Sequence, residues 1–261
     1  MCHQADTAPA FLFSEQKKQV EEVLRVDPKN LNSYVGVVNQ PPPKWSMPLD
    51  PSFLAVQDGL LSAEREEKGV VEADALPERP GHPGIALWQG DITRLKADAI
   101  VDADNDRLLG CFVPCHSCID NAIHSAAGLQ LRDECSRLME QQGRPEPTGQ
   151  AKLTGGYNLP ARYVLHTVGP IIHGRVTPQD RELLASCYRS CLALAAEHGL
   201  RSVAFCCIST GEFHFPNARA AQIAVQTVRV ARKTLQHEMD VIFNVYQERD
   251  LRIYEGLLAG R

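Results

Sequence analysis

From about residue 84 onward, short apolar runs alternate with stretches of helical period, and this alternation limits the possible folds more than any other feature. IALWQGD at 85–91 is a strand that ends in a Gly-Asp turn, and DAIVDA at 98–103 is a short, nearly all-apolar strand, the pattern of a strand covered by helices on both faces. RYVLHTV at 162–168, SVAFCCIS at 202–209 and VIFNVY at 241–246 continue the series. Between them, a helix from about Asn121 to Glu140 carries Ala122, Ile123, Ala126, Ala127, Leu131, Cys135 and Leu138. Another follows Thr177, with Pro178 at its first position and Gly199 ending it. A helix after Asn217 carries Ala221, Ile223, Ala224, Val228 and Ala231, and DLRIYEGLL at 250–258 closes the series. Such alternation predicts a mainly parallel sheet in a three-layer α/β sandwich.

Residues 1 to about 80 have a different texture, with helical patches separated by loops. Ser14 to Val26 places Val20, Val23 and Leu24 at helical spacing. A second helix begins at Asp50 as N-cap, with Pro51 at its first position and Phe53, Leu54, Val56, Leu60 and Leu61 following. PPPK at 41–44 is a stiff extended connector. The stretch at 64–84, rich in charge, Pro and Gly with little periodicity, reads as a surface connection. The division expected is therefore a helical N-terminal extension over 1–80, packing on a core over 81–261.

Composition narrows the function. The chain has 261 residues and a formal net charge of -5, with no basic stripe, which disfavours a nucleic-acid backbone as partner. No run of about 20 apolar residues is present, so no membrane span is expected. The N-terminus has no basic start or apolar core of a secretion signal, and the expected location is soluble and cytoplasmic. Nine cysteines is a high and odd count, better read as reduced thiols than as a disulfide framework. Cys187 and Cys191 are in phase with Leu184 and Leu194 and read as small core residues, while Cys206 and Cys207 read as strand interior.

One segment stands apart. LLGCFVPCHSCIDNAIH at 108–124 gathers Cys111, Cys115, His116, Cys118, Asp120 and His124. Thiols and imidazoles this close point to a metal, and the carboxylate at a helix start beside them points to chemistry rather than to a purely structural ion. Ligands of parallel sheets sit at the carboxyl ends of the strands. Those ends are Gly90-Asp91-Ile92, the run from Asp102 to Cys118, Thr167-Val168-Gly169-Pro170, and Ser209-Thr210-Gly211-Glu212-Phe213. Backbone amides in such turns bind phosphate without basic side chains, so a diphosphate ligand is compatible with the acidic chain.

Taken together, GDIT (90–93), ADAIVDADN (97–105), LLG (108–110), DNAIHSAAG (120–128), TGQAKLTGGYNLP (148–160), VLHTVGPI (164–171) and ISTGEFHFP (208–216) resemble the macrodomains, a family that binds ADP-ribose. The resemblance implies a three-layer α/β/α fold with a mixed, mainly parallel central sheet. The insert CFVPCHSC at 111–118 and PLDPSFLAVQDGLL at 48–61 are similar to the zinc-containing subgroup, whose loop reads Cys-x4-His-x-Cys and whose members are ADP-ribosyl hydrolases. Some members occur beside a sirtuin-type ADP-ribosyltransferase and a lipoylated carrier protein, which makes such a carrier a candidate substrate.

Residue by residue, the resemblance places Zn2+ on Cys111, His116 and Cys118, leaving a fourth position for water or a ribose hydroxyl. Cys115 adjoins His116, which makes simultaneous ligation awkward, and a core or helix-capping role is preferred for His124. Asp91 corresponds to the adenine-reading aspartate, with the Ile92 amide meeting a ring nitrogen. Asn105 corresponds to the asparagine near the distal ribose, and Asp120 to the acidic residue of the active-site loop. Gly110 lets that loop pass close to the ligand. Ser209, Thr210, Gly211, Glu212 and Phe213 correspond to the second phosphate loop, with Phe213 against the distal ribose.

One departure is notable. The family usually reads Asn-Ala-Ala-Asn-Ser where this chain reads Asp102-Ala103-Asp104-Asn105-Asp106. Carboxylates near a diphosphate oppose its binding unless they point away, and exposed placement of Asp104 and Asp106 is the expectation. The function implied is zinc-dependent removal of mono-ADP-ribose from modified protein side chains, with Asp120 activating water or holding the ribose and Asn105 orienting it. The alternatives are a binding module that reads ADP-ribose without turnover and an esterase acting on O-acetyl-ADP-ribose.

Overall fold

The computed structural model describes residues 51–113, 116–235 and 238–259. The expectations for Ser14–Val26, the connector at 41–44, Asp50 as N-cap and Cys115 lie outside the described residues. The strands are β1 (Val71–Glu72), β2 (Glu78–Arg79), β3 (His82–Gln89), β4 (Leu95–Lys96), β5 (Ala99–Asp104), β6 (Ala151–Gly155), β7 (Tyr163–Val168), β8 (Ser202–Phe205) and β9 (Asp240–Val245). The helices are α1 (Pro51–Lys68), α2 (Ile119–Ala127), α3 (Leu129–Gln142), α4 (Pro178–Glu197), α5 (Asn217–Arg232) and α6 (Glu248–Leu257).

Seven strands form the central sheet in the order β2-β3-β9-β8-β5-β7-β6. The five inner strands run parallel, and β2 and β6 pair antiparallel at the two edges. The sheet is therefore mixed and mainly parallel. All five parallel strands point their carboxyl ends to one side, which fixes where a ligand cleft forms.

The central strand β5 is flanked by β7 and β8. Ala99, Ile100 and Val101 are fully buried, as expected for a strand covered on both faces. Its even-numbered side chains face α2 and α3. Its odd-numbered ones share a face with Thr167 of β7, beneath Cys187 of α4. The α4 and α5 helices pack together, and α5 packs on α6, to make that second layer. Tyr188 of α4 meets Phe205 of β8 at a ring separation of 4.9 Å, and Phe243 of β9 meets Tyr254 of α6 at 5.1 Å. Cys187 and Cys191 are buried in this layer, as their helical phase requires.

Local signals account for most helix ends. Thr177 and Asp180 form a reciprocal capping box at the start of α4, with Pro178 at the first position. Gly199 lies just past its end at φ +65. The helix expected over 121–140 is instead two. Gly128 (φ +93) separates α2 from α3, and the buried Gln57 of α1 accepts a hydrogen bond from the Leu129 amide at 3.0 Å. A side chain from another helix thus supplies the cap that lets a second helix start. A Cβ at Gly128 would lie 2.7 Å from Gln57 Nε2.

Three further expectations change. The 64–84 stretch is more than a connection: α1 runs to Lys68, β1 pairs with β4, and β2 begins the main sheet. The β8 strand stops at Phe205, so Cys206 and Cys207 lie just beyond it, the first buried and the second half-buried. The final strand stops at Val245, leaving Tyr246 outside.

Candidate active site

The loop after β3 stands at one end of the row of parallel strand ends. Asp91 caps a short 3-10 turn, its Oδ1 accepting from the Thr93 amide at 3.0 Å and the Thr93 hydroxyl at 2.7 Å. The second carboxylate oxygen keeps acceptor capacity. Next to this turn, Tyr246 is 77% exposed at the carboxyl end of β9, and its carbonyl accepts from Gln89 Nε2 at 3.4 Å. Sequence reading had absorbed Tyr246 into the strand. Its mark in the sequence is an aromatic one residue past a buried apolar run.

The loop after β8 forms a cradle. Ser209 adopts φ +64, and the turn is closed by Thr210 N to Cys207 O, His214 N to Gly211 O and Phe215 N to Ser209 O. Among the described residues, the amides of Ser209, Gly211, Glu212 and Phe213 donate to no protein acceptor. Unpaired amides in a tight turn are the donor set an anion requires. Ser209 Oγ is also buried without a partner. Gly169 of the neighbouring loop is required for close approach, since a Cβ there would fall 2.0 Å from Ser209 Oγ. Phe213 is half-buried, and Phe215 is the core aromatic of this loop.

The loop after β5 brings the metal-type ligands together. Cys111 Sγ lies 3.3 Å from His116 Nδ1, and one ligand atom each from Cys111, His116 and Cys118 falls within 4.8 Å of the others. Sulfur and nitrogen ligands of a tetrahedral zinc are separated by roughly 3.5 Å, so the donor set fits that ion in chemistry and spacing. All three are half-buried rather than sealed. Cys118 also caps α2, its sulfur accepting from the Asn121 amide at 3.4 Å. Burial pushes its thiol up to about 12, against the Asn121 amide, which favours the thiolate. Asn121 Nδ2 fixes the loop by donating to the His116 carbonyl at 2.7 Å. His116 Nε2 lies 3.4 Å from Glu212 Oε1, joining the metal-type loop to the anion cradle.

Asn105 and Asp120 stand beside these ligands. Asn105 Nδ2 donates to Gly110 O and to Asp120 Oδ2, both at 3.2 Å, and its Oδ1 accepts from the Arg107 amide at 3.0 Å. Gly110 has φ +81, and a Cβ there would fall 2.9 Å from Arg132 Nη2 and 3.0 Å from His124 Cγ. Asp120 is buried, and burial together with the Asp104 carboxylate holds its carboxyl well above the usual carboxylate range. Arg132 was missed in the sequence. It is buried on α3, with its guanidinium carbon 5.3 Å from the Phe112 ring centroid. A lone arginine between Leu131 and Cys135 is the only trace of it in the sequence.

The acidic run before this loop behaves differently from the expectation. Asp106 is exposed, but Asp104 is fully buried. Strand β5 extends through Asp104, which places that side chain on the face covered by α2. Asp104 Oδ2 lies 2.7 Å from His166 Nδ1, and its Oδ1 lies 3.8 Å from His124 Nε2. Asp102 lies on the same face, also fully buried, and burial followed by the Asp104 and Asp120 charges holds its carboxyl well above the usual range. His124 is core, as preferred, and faces Asp120 Oδ1 at 3.6 Å.

The protein is thus a mainly parallel α/β sheet with helices on both faces, whose strand-end loops combine an amide cradle, a capped aspartate and a thiol-imidazole cluster on the side where proteins of this class hold ligands. The Macro domain family model matches residues 101–224. A "Protein-ADP-ribose hydrolase" of Treponema medium is 48% identical over 226 residues, covering 86% of this chain and 85% of that one. One of Staphylococcus aureus (strain MSSA476) is 48% identical over 223 residues, covering 85% and 82%. Among solved structures, the Trypanosoma brucei macrodomain in complex with ADP-ribose matches with TM-score 0.66 and 33% identity, covering 88% of this chain and 96% of that one. The Oceanobacillus iheyensis macrodomain with ADP matches with TM-score 0.59 and 38% identity over 67% and 89%. The chain belongs to the macrodomain family.

Proposed function

We propose that the protein is a zinc-dependent hydrolase that removes mono-ADP-ribose from modified protein side chains. The observation that carries this reading is the half-buried Cys111–His116–Cys118 cluster beside Asn105 and Asp120, within a cleft that also offers unpaired backbone amides. The names of the relatives support hydrolysis, and the ADP-ribose and ADP complexes of the structural neighbours support the ligand.

In this reading Asp91 accepts a hydrogen bond from the adenine amino group through its remaining oxygen, and the Tyr246 ring stacks on the base. The amides of Ser209, Gly211, Glu212 and Phe213, with Thr210, hold the diphosphate. Asn105 ties Asp120 to the Gly110 carbonyl and keeps both beside the distal ribose. Asp120 then takes a proton from the attacking water or holds a ribose hydroxyl. Bound by Cys111, His116 and Cys118, zinc would supply Lewis-acid stabilisation of oxygen charge at this point. The burial of Asp102 and Asp104 supports diphosphate binding, because it removes two of the three carboxylates from the cleft surface.

The test is elemental analysis of the purified protein together with release of ADP-ribose from Asp/Glu-linked and Ser-linked protein substrates. Replacing Cys118 or His116 by Ala is expected to remove zinc and hydrolysis together. Turnover that persists in a verified metal-free variant would overturn the zinc part alone. Tight calorimetric binding of ADP-ribose with no release from any linkage would favour a reader module instead.

A further inference from the structure

Beneath the catalytic loop lies a second set of metal-type side chains, fully enclosed. Asp102, Asp104, His124 and His166 are each at most 1% exposed, and each offers a ligand atom within 4.8 Å of the others. They come from three packed elements. Asp102 and Asp104 share one face of β5, His166 stands opposite Asp102 in the register of β7, and His124 projects from α2. Regular elements hold such positions more rigidly than loops do.

Hydrogen bonds within the protein leave this cluster incomplete. Both Asp102 oxygens, Asp104 Oδ1 and both His124 nitrogens are buried without a hydrogen-bond partner among the described residues. Buried polar atoms are nearly always satisfied, and buried charges are paired or coordinate metals. The orphaned atoms come from three different side chains, each of which brings one ligand atom within 4.8 Å of the others, so a single centre would satisfy one atom of each together.

We propose that Asp102, Asp104, His124 and His166 form a second, buried divalent-cation site of the zinc class, separate from the Cys111–His116–Cys118 cluster. Two imidazole nitrogens and two carboxylate oxygens suit zinc, and imidazole argues against magnesium and calcium. The two carboxylates balance the ion's charge, and four protein ligands close the site, as in structural centres. His166 has the outer contact a ligating imidazole needs: its Nε2 lies 2.8 Å from Thr154 Oγ1, leaving Nδ1 to face the cluster in place of its present contact with Asp104. The ion would anchor His124, 3.6 Å from Asp120 Oδ1, and so make the floor beneath the catalytic loop rigid. Neither site shares a ligand with the other, so this inference holds whether or not the loop cluster binds zinc.

Cobalt distinguishes the two sites, because only a thiolate site gives a sulfur-to-cobalt charge-transfer band in the near ultraviolet. The full-length chain, refolded with Co2+ and dialysed, is expected to hold two equivalents, one with that band. A Cys111→Ala/Cys118→Ala variant is expected to keep one equivalent with visible absorption and no charge-transfer band. Asp102→Asn, a near-isosteric change, is expected to keep only the charge-transfer site, and His166→Gln serves the same purpose should Asp102→Asn fail to refold by circular dichroism. A folded double-cysteine variant that binds no Co2+ or Zn2+ would overturn the proposal, as would a wild-type protein whose only metal is thiolate-bound.

Discussion

Gly110 shows how tightly the loop after β5 is fitted. It combines a left-handed backbone (φ +81) with a position where an added Cβ would fall 2.9 Å from Arg132 Nη2 and 3.0 Å from His124 Cγ. Gly110→Ala is expected to destabilise the protein by about 1–3 kcal/mol and to displace Cys111, read as a lower Tm and reduced zinc content. Glu212 presents a different case. Its carboxylate touches His116 Nε2 but is 70% exposed, so it supports that imidazole only weakly. Glu212→Gln is expected to weaken zinc retention about 10-fold, the low end for an outer contact of a metal ligand, in competition with a chelator. Unchanged retention would confine Glu212 to the anion cradle. Cys111, His116 and Cys118 were legible because short spacing forces them together. Asp104 was not, because its partners His124 and His166 lie roughly 20 and 60 residues away, and a charged run looks like a surface loop until the sheet that buries it is known.

The junction of α2 and α3 depends on α1. Gln57 accepts from the Leu129 amide and donates to Gln130 Oε1 at 2.7 Å, while Asn158 Nδ2 donates to the Ala127 carbonyl at 3.0 Å and to Asp58 at 2.7 Å. Gln57→Leu leaves the Leu129 amide without its acceptor and is expected to cost roughly 1–3 kcal/mol, measured by chemical denaturation. Thr177→Ala, which removes one half of a surface capping box, is expected to cost only about 1 kcal/mol. The contrast also explains what could be read in advance. The capping box at Thr177 is local, and its residues declare it. The break at Gly128 interrupts an unbroken helical period, and the side chain that makes it possible comes from roughly 70 residues upstream. The edge strand β6 was likewise hidden, because AKLTG lacks an apolar run and owes its conformation to pairing with β7.

At the scale of the whole molecule, the five parallel strands gather every proposed ADP-ribose contact on one side of the sheet. A ligand that binds only the folded state stabilises it by mass action. ADP-ribose at about 100 times its Kd is expected to raise stability by about 2.7 kcal/mol, seen as a higher Tm, and Asp91→Ala is expected to reduce that gain at equal ligand concentration. Equal shifts in both proteins would move adenine recognition away from Asp91. The alternating pattern of strands and helices anticipated this arrangement, since helix-linked apolar strands have few ways to pair other than in parallel. It does not disclose the order of pairing, which has a consequence during synthesis. Ile85 of β3 pairs with Val241 of β9, and Ala99 of β5 with Val203 of β8. At about 5–20 residues per second, Val241 trails Ile85 from the ribosome by roughly 8–30 s. Throughout that interval β3 has no parallel neighbour, and the half of the sheet that it begins stays open as an apolar edge until the last strand emerges.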